Sequence, residues 1–188
     1  MKLKRTFDAA VAAVAIAATS PIQALVALAV LLTSRGPVLY RSERVGLNND
    51  IFVMMKFRSM KADTPELATH LLENRDQMLT PVGRFLRTTS LDELPQLWHV
   101  LGGSMSLVGP RPALHNQDDL IGQRSAAGVH TLKPGITGLA QITGRDDLSI
   151  AEKVEMDREY LETQSFSVDL MILLKTLAEV TRRSGITG

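Results

Sequence analysis

Asp92 and Glu93 stand side by side in "TTSLDELPQL", residues 88–97. Paired carboxylates of this kind serve as nucleophiles, proton carriers or ligands of hard metal ions. A structural reading stands beside that one. Ser90-x-x-Glu93 matches a capping box, and acids are favoured at a helix N-terminus by the positive end of the dipole. Pro95 fits best in a first helical turn, which moves the cap toward Leu91–Asp92 and weakens that box. Residue types and spacing leave both readings open.

Cations are available to meet an anion. Period-2 alternation in "IFVMMKFRSM" puts Phe52, Met54, Lys56 and Arg58 on one strand face, and Ile51, Val53, Met55 and Phe57 on the other. Lys56 and Arg58 on one face suit an anionic substrate, lipid headgroups or an ordinary solvated surface. Arg84 and Arg87 share a face if their segment is helical. Arg111 lies between two prolines in "LVGPRP", a stiff mount for a guanidinium suited to bidentate phosphate binding. "LKPGITGLAQITGR" is rich in Gly and Thr and ends on Arg145, but lacks the spacing of a Walker loop or dinucleotide fingerprint. The absence of cysteine excludes disulfides, thiolate nucleophiles and zinc–sulfur sites. His70, His99, His115 and His130 have no ligand-like spacing, and a net charge of +1 supplies no basic field for nucleic acid.

The elements that must position these groups fall into two parts. Between Asp8 and Arg35 lie 26 residues without a charge. As one helix they would reach about 39 Å, enough to cross a bilayer. "KLKR" and "AIAATS" also resemble parts of a cleavable signal, but the apolar run continues past them through "ALVALAVLL". Ser20-Pro21 falls mid-run, where proline removes a helical hydrogen bond and leaves halves of about 18 Å each. Lys2, Lys4 and Arg5 precede the run, and Arg35, Arg41 and Arg44 follow it, so the positive-inside bias puts both ends on the cytoplasmic side. The expectation is a re-entrant helix–break–helix anchor over residues 1–35, with the Ser20 hydroxyl serving a freed carbonyl.

Residues 36–188 read as one α+β, mainly helical body. It holds a short β-hairpin over 36–60 turning at "GLNND", a polar helix over 63–78, and a helix beginning near Leu91. An acidic helix begins near Ser149, and an apolar one over 166–183 is too short to span and suits the core or the membrane surface.

Together these blocks resemble the bacterial sugar transferases, the monotopic phosphoglycosyl transferases. The resemblance rests on "KRTFD", the Ser20-Pro21 break, "SRGPVLYRSERVG", "MKFRSM", "TPVGRFLRTTSLDELPQLWHVL", "SLVGPRPAL" and "KPGITGLAQITGR", in order along nearly the whole chain. It implies transfer of a sugar-1-phosphate from a UDP-sugar to polyprenol (undecaprenyl) phosphate, with release of UMP. It further implies Asp92 as the nucleophile, Glu93 as a ligand of Mg²⁺, and Arg87, Arg111 and Arg145 as phosphate contacts, with Lys56 and Arg58 in the family's basic strand motif. Asp157 and Asp169 are lesser acidic candidates. The implied setting is the cytoplasmic leaflet of the inner membrane, with amphipathic helices at the interface and no nucleic acid partner; oligomeric state stays open. "PRPALHNQDDL" resembles the short, catalytic-domain-only branch, whose members often handle N-acetylated amino sugars.

Two positions depart from the family pattern: Ser104 stands where an aspartate is usual, and His99 where an asparagine is usual. Two competing readings remain. One is a membrane-anchored scaffold in which the acid pair is only a cap. The other is a hydrolase of nucleotide-sugar diphosphates that needs no polyprenol phosphate.

Overall fold

The computed structural model describes residues 2–65, 75–144 and 148–182. Arg145 and most of the helix expected over 63–78 lie outside the described residues; of that segment Arg75–Met78 form a 3₁₀ turn.

The apolar N-terminal run forms α1 (Lys2–Thr33), long and apolar enough to cross a membrane. The expected break is corrected on one point: α1 is a single helical run with Pro21 inside it. Proline leaves the Ala17 carbonyl without its usual N–H donor, and Ser20 Oγ donates to that same carbonyl at 2.9 Å. The side chain thus replaces the lost backbone bond and the helix continues. Its buried residues are Asp8, Ala12 and Ile16 in the first half, and Val26 and Val30 in the second, with none buried between.

The hairpin has the expected form. β1 (Leu39–Val45) pairs antiparallel with β2 (Ile51–Phe57), from Leu39 opposite Phe57 to Val45 opposite Ile51. Asn48 and Asn49 adopt positive φ in the connecting turn, a conformation asparagine tolerates better than most residues. Of the two strand faces, the one with Met54 and Lys56 turns inward, while Ile51 and Val53 are exposed.

The remaining elements are α2 (Gly83–Thr88), α3 (Gln96–Gly102), β3 (Ser106–Val108), α4 (Asp118–Ala126), β4 (Gly135–Thr137), α5 (Leu139–Thr143), α6 (Ile150–Thr163) and α7 (Phe166–Arg182). β3 and β4 pair in parallel, Ser106 opposite Gly135 and Val108 opposite Thr137. The main core gathers Ala12 and Ile16 of α1 with Met54, Leu97, Val100, Met105, Leu107, Val108, Tyr160 and Ile172. A second cluster joins Val26 and Val30 to Phe57 and Leu86, and Leu94 packs against both. Each half of α1 is therefore built into the body.

Polar contacts fasten the start of that helix. Lys4 Nζ pairs with Asp169 at 2.6 Å, Asp8 accepts from Ser106 Oγ at 2.7 Å, and Arg5 donates to the Val100 and Leu101 carbonyls at 2.6 and 2.7 Å. Arg5 thereby adds donors at the C-terminal end of α3, where the Val100 carbonyl also accepts from the Gly103 N–H at 3.1 Å. Lys4 and Arg5, read in the sequence as charge flanking a membrane segment, are also docking groups.

Candidate active site

The acid pair does not sit in a helix cap. Leu91–Glu93 form one 3₁₀ turn, and α3 begins only after Pro95. Ser90 has φ 57° and its side chain makes no capping bond, so the box read from Ser90-x-x-Glu93 is not formed. A genuine box occurs at Ser149 and Glu152, where α6 starts. A left-handed conformation at a non-glycine residue is strained and persists where its surroundings over-determine it. Here it precedes the turn that carries both acids.

Glu93 is clamped by two cations. Lys56 Nζ from β2 and Arg111 Nη2 from the Pro-Arg-Pro segment both lie 2.8 Å from Glu93 Oε1. Asp92 is 7% exposed, and none of the described residues donates a hydrogen bond to its carboxylate. Burial pushes both carboxyls up, with different outcomes. At Glu93 it is overcome by Arg111 and Lys56, which hold the group well below the usual carboxylate range. At Asp92 burial prevails over the attraction of Lys56, ionised Glu93 adds repulsion, and the carboxyl is raised from 3.8 to about 6. Burial likewise lowers the Lys56 ammonium, against the pull of Glu93. Neighbouring acids pushed apart in this way divide the chemistry between them. Glu93 is the fixed anion, and Asp92 is the uncommitted, desolvated carboxylate.

Arg111 is mounted as its flanking prolines suggest, with help from elements whose role the sequence hid. The Gly135 N–H donates to the Pro110 carbonyl at 2.9 Å and the Gly109 N–H to the Thr137 carbonyl at 2.9 Å. A Cβ on Gly135 would overlap the Gly109 backbone, so this close approach requires glycine. "KPGITG" is thus a strand and turn braced against the Pro-Arg-Pro segment. From the other side Arg124 Nη1 of α4 donates to the Arg111 carbonyl at 2.8 Å, while Arg124 also pairs with Asp157 of α6 at 2.6 Å.

The other candidates separate into near and far. Arg87 contributes to the field at Asp92, and its Nη1 lies 3.8 Å from Met60 Sδ. Arg58 shares the inward strand face with Lys56 but serves elsewhere. It is 4% exposed, and Nη2 donates to Ser34 O and Oγ, both at 2.9 Å, just past the end of α1. β2 stops at Phe57, and the Arg58 side chain reaches on from there to the helix end. Asp157 is taken up by Arg124, and Asp169 by Lys4 and by Tyr160 OH at 2.6 Å. Both lesser candidates are thus engaged in ties between helices, apart from the acid pair. Arg124 carried no sequence signal at all; an arginine within "DDLIGQRSA" reads as solvated helix surface.

No group of three or more metal-ligating side chains occurs among the described residues. Two carboxylates nevertheless fit Mg²⁺, which is commonly held by one or two of them while phosphate and water complete its shell. Both cations meet Glu93 at Oε1, leaving Oε2 for such a role.

Comparison with known proteins decides the family. The bacterial sugar transferase model matches residues 1–183. This chain belongs to the bacterial sugar transferase family. Among its curated relatives, the "UDP-glucose:undecaprenyl-phosphate glucose-1-phosphate transferase" of Escherichia coli is 43% identical over 183 residues, covering 93% of this chain and 39% of that protein. The "Undecaprenyl-phosphate glucose phosphotransferase" of Komagataeibacter xylinus is 41% identical over 189 residues, covering 93% of this chain and 35% of the relative. The "Exopolysaccharide production protein ExoY" of Rhizobium meliloti is 38% identical over 200 residues, covering 97% and 87%. The chain therefore spans about a third of one relative and most of another.

Proposed function

We propose that this protein moves a sugar-1-phosphate from a UDP-sugar to polyprenol phosphate through a covalent intermediate on Asp92. The observation that carries this reading is the contrast within the pair: Glu93 is neutralised by Lys56 and Arg111, while Asp92 is buried, unbonded among the described residues and more basic than an ordinary carboxylate. The names of the relatives supply the reaction class.

In the first step an Asp92 carboxylate oxygen bonds to the sugar-bearing phosphorus, and the bond from that phosphorus to the UMP oxygen breaks. UMP leaves with the electron pair. In the second step a phosphate oxygen of polyprenol phosphate bonds to the same phosphorus and displaces the Asp92 carboxylate, giving a polyprenyl diphosphate sugar. Arg111 and Arg87 meet the charge that accumulates on phosphoryl oxygens, and Lys56 holds Glu93 in place. Glu93 and the substrate phosphates would hold Mg²⁺, whose contribution is neutralisation of the diphosphate. Purified protein given a panel of UDP-sugars is expected to release at most one equivalent of UMP, and to turn over only when polyprenol phosphate is added. Continuous turnover without the lipid would replace this reading by the hydrolase.

The two ends of α1 support a monotopic arrangement. Both pack on the same body, through Ala12 and Ile16 at one end and Val26 and Val30 at the other, while apolar surface on the same helix stays open at Val14, Ile22 and Leu25. A helix spanning a hydrocarbon core of about 30 Å would carry its ends to opposite sides. The reading is therefore an anchor that enters and returns to the cytoplasmic leaflet, bending at Ser20–Pro21. Exposed Phe85, Trp98 and the α7 stripe Phe166, Leu170, Leu174 and Leu177 extend the apolar surface of the body. Trp98 is the sole tryptophan and is 51% exposed. Its emission is expected to shift to the blue on reconstitution into nanodiscs and to be quenched by brominated lipid. Emission unchanged from that of a solvated indole would remove α3 from the membrane surface.

A further inference from the structure

We infer that His99 is a positioning residue that holds the Lys56–Glu93 pair in register by fastening β2 to the segment carrying the acids. The Met55 N–H of β2 donates to His99 Nε2 at 3.1 Å. A ring nitrogen that accepts carries no proton, so the imidazole is neutral and its proton is on Nδ1. Nδ1 lies 3.2 Å from Ser104 Oγ, and that hydroxyl in turn lies 3.3 Å from the His99 carbonyl, to which it donates. Every proton in the chain then has one place: Met55 to Nε2, Nδ1 to Ser104, Ser104 to the backbone. The ring also packs edge-on against Phe52, centroids 5.7 Å apart.

The consequence lies in what the two ends are joined to. Met55 directly precedes Lys56, and His99 lies on α3, which follows the turn carrying Asp92 and Glu93. Among the described residues β2 pairs with β1 alone, so its other edge needs a partner for its N–H groups, and His99 supplies one. The Lys56–Glu93 ion pair and the Met55–His99 bond are two ties between the same two segments, one through long side chains and one through backbone. The second limits how far Lys56 can drift from Glu93.

His99 and Ser104 are five residues apart and in contact with one another. Ser104 is compatible with the Nδ1-protonated tautomer, since its hydroxyl donates to the His99 carbonyl and is left to accept from Nδ1–H. Other charges on the packed elements do not reverse this: Lys56 on β2, Asp92 and Glu93 on the leading turn, Arg5 at the Val100 and Leu101 carbonyls, and Lys133 at the Gly103 carbonyl. Burial lowers the proton affinity of the ring, in the direction a bare Nε2 requires.

This role rests on the acids being the reacting pair, and its tests are separable from that reading. ¹⁵N NMR of the full-length protein at pH 7.5 is expected to show His99 protonated on Nδ1 and bare on Nε2. The opposite tautomer overturns the inference, whatever Asp92 does. In kinetics, His99→Phe keeps the ring packing but removes the acceptor, and is expected to lower kcat for UMP release by about 10–100-fold, with KM for the UDP-sugar little changed. His99→Gln, which places an amide oxygen near the position of Nε2, is expected to restore most of it. In a Lys56→Ala background His99→Phe is expected to have no further effect. Equal losses in both backgrounds, or a His99→Gln protein that is folded yet no better than His99→Phe, would overturn it. Failure of the underlying reading shows elsewhere, as turnover retained by Asp92→Asn.

Discussion

Asp92→Asn is expected to abolish UMP release, by about four orders of magnitude or more, while making the folded protein more stable at neutral pH. The first effect follows from the loss of the only group proposed to bond to phosphorus. The amide that replaces it carries no negative charge. The second follows from burial. The Asp92 carboxyl is raised from 3.8 to about 6 in the folded state. Between those values the folded chain binds a proton that the unfolded chain has released, so stability falls as pH rises through this window. Above pH 6 the deficit is complete, on the order of 3 kcal/mol for a shift of this size. Asparagine has no charge to desolvate and escapes it. Urea titrations are therefore expected to show the variant ahead of wild type at pH 7.5 and the two converging toward pH 4. Wild-type UMP release should rise with pH through about 6 as the nucleophile ionises. A variant that is inactive because it is less stable at pH 7.5 would contradict the account, and a fully active one would remove Asp92 as the nucleophile.

How much of this was legible in the sequence differs from residue to residue for physical reasons. The hairpin and the helices from Ser149 and Phe166 follow from local periodicity and turn chemistry, which act over a few residues. The Pro21 region was half legible: the proline and its serine could be read, but not that the helix would run on. The acid pair shows the limit most clearly. Spacing alone did not decide between cap and site. What the fold adds is that Lys56, 37 residues earlier, and Arg111, 18 residues later, meet one Glu93 oxygen. No periodicity encodes contacts at such separations, and the resemblance to a family supplied the roles instead. Lys56 and Arg58 make the same point in reverse. They share a face, yet one meets Glu93 and the other the end of α1, because the fold brings different partners to each.

The largest stability effect is expected at a pair outside the reacting atoms. Arg124 and Asp157 meet at 2.6 Å with side-chain exposures of 11% and 2%. Arg124→Met leaves a buried carboxylate without its cation, expected to destabilise the protein by about 3–5 kcal/mol at pH 7.5. Even with Arg124 present, burial outweighs its pull and the Asp157 carboxyl lies above its usual range. The raised value has a definite sign: the folded chain binds this proton more tightly than the unfolded chain, so the Met variant should regain stability as pH falls through that group's folded-state value. Replacing both residues, Arg124→Met with Asp157→Leu, removes both charges from the interior and is expected to recover most of the loss. Denaturant midpoints for the two single variants and the double test this directly. A double variant as unstable as Arg124→Met would mean that the missing bond to the Arg111 carbonyl, and not the stranded charge, is what matters. Activity separates the two contributions further. The double variant still lacks the donor that holds Arg111, so a stable protein with reduced UMP release would identify Arg124 as the brace of the Pro-Arg-Pro mount. Stability would then depend on the charge pair being matched, and catalysis on one hydrogen bond from it.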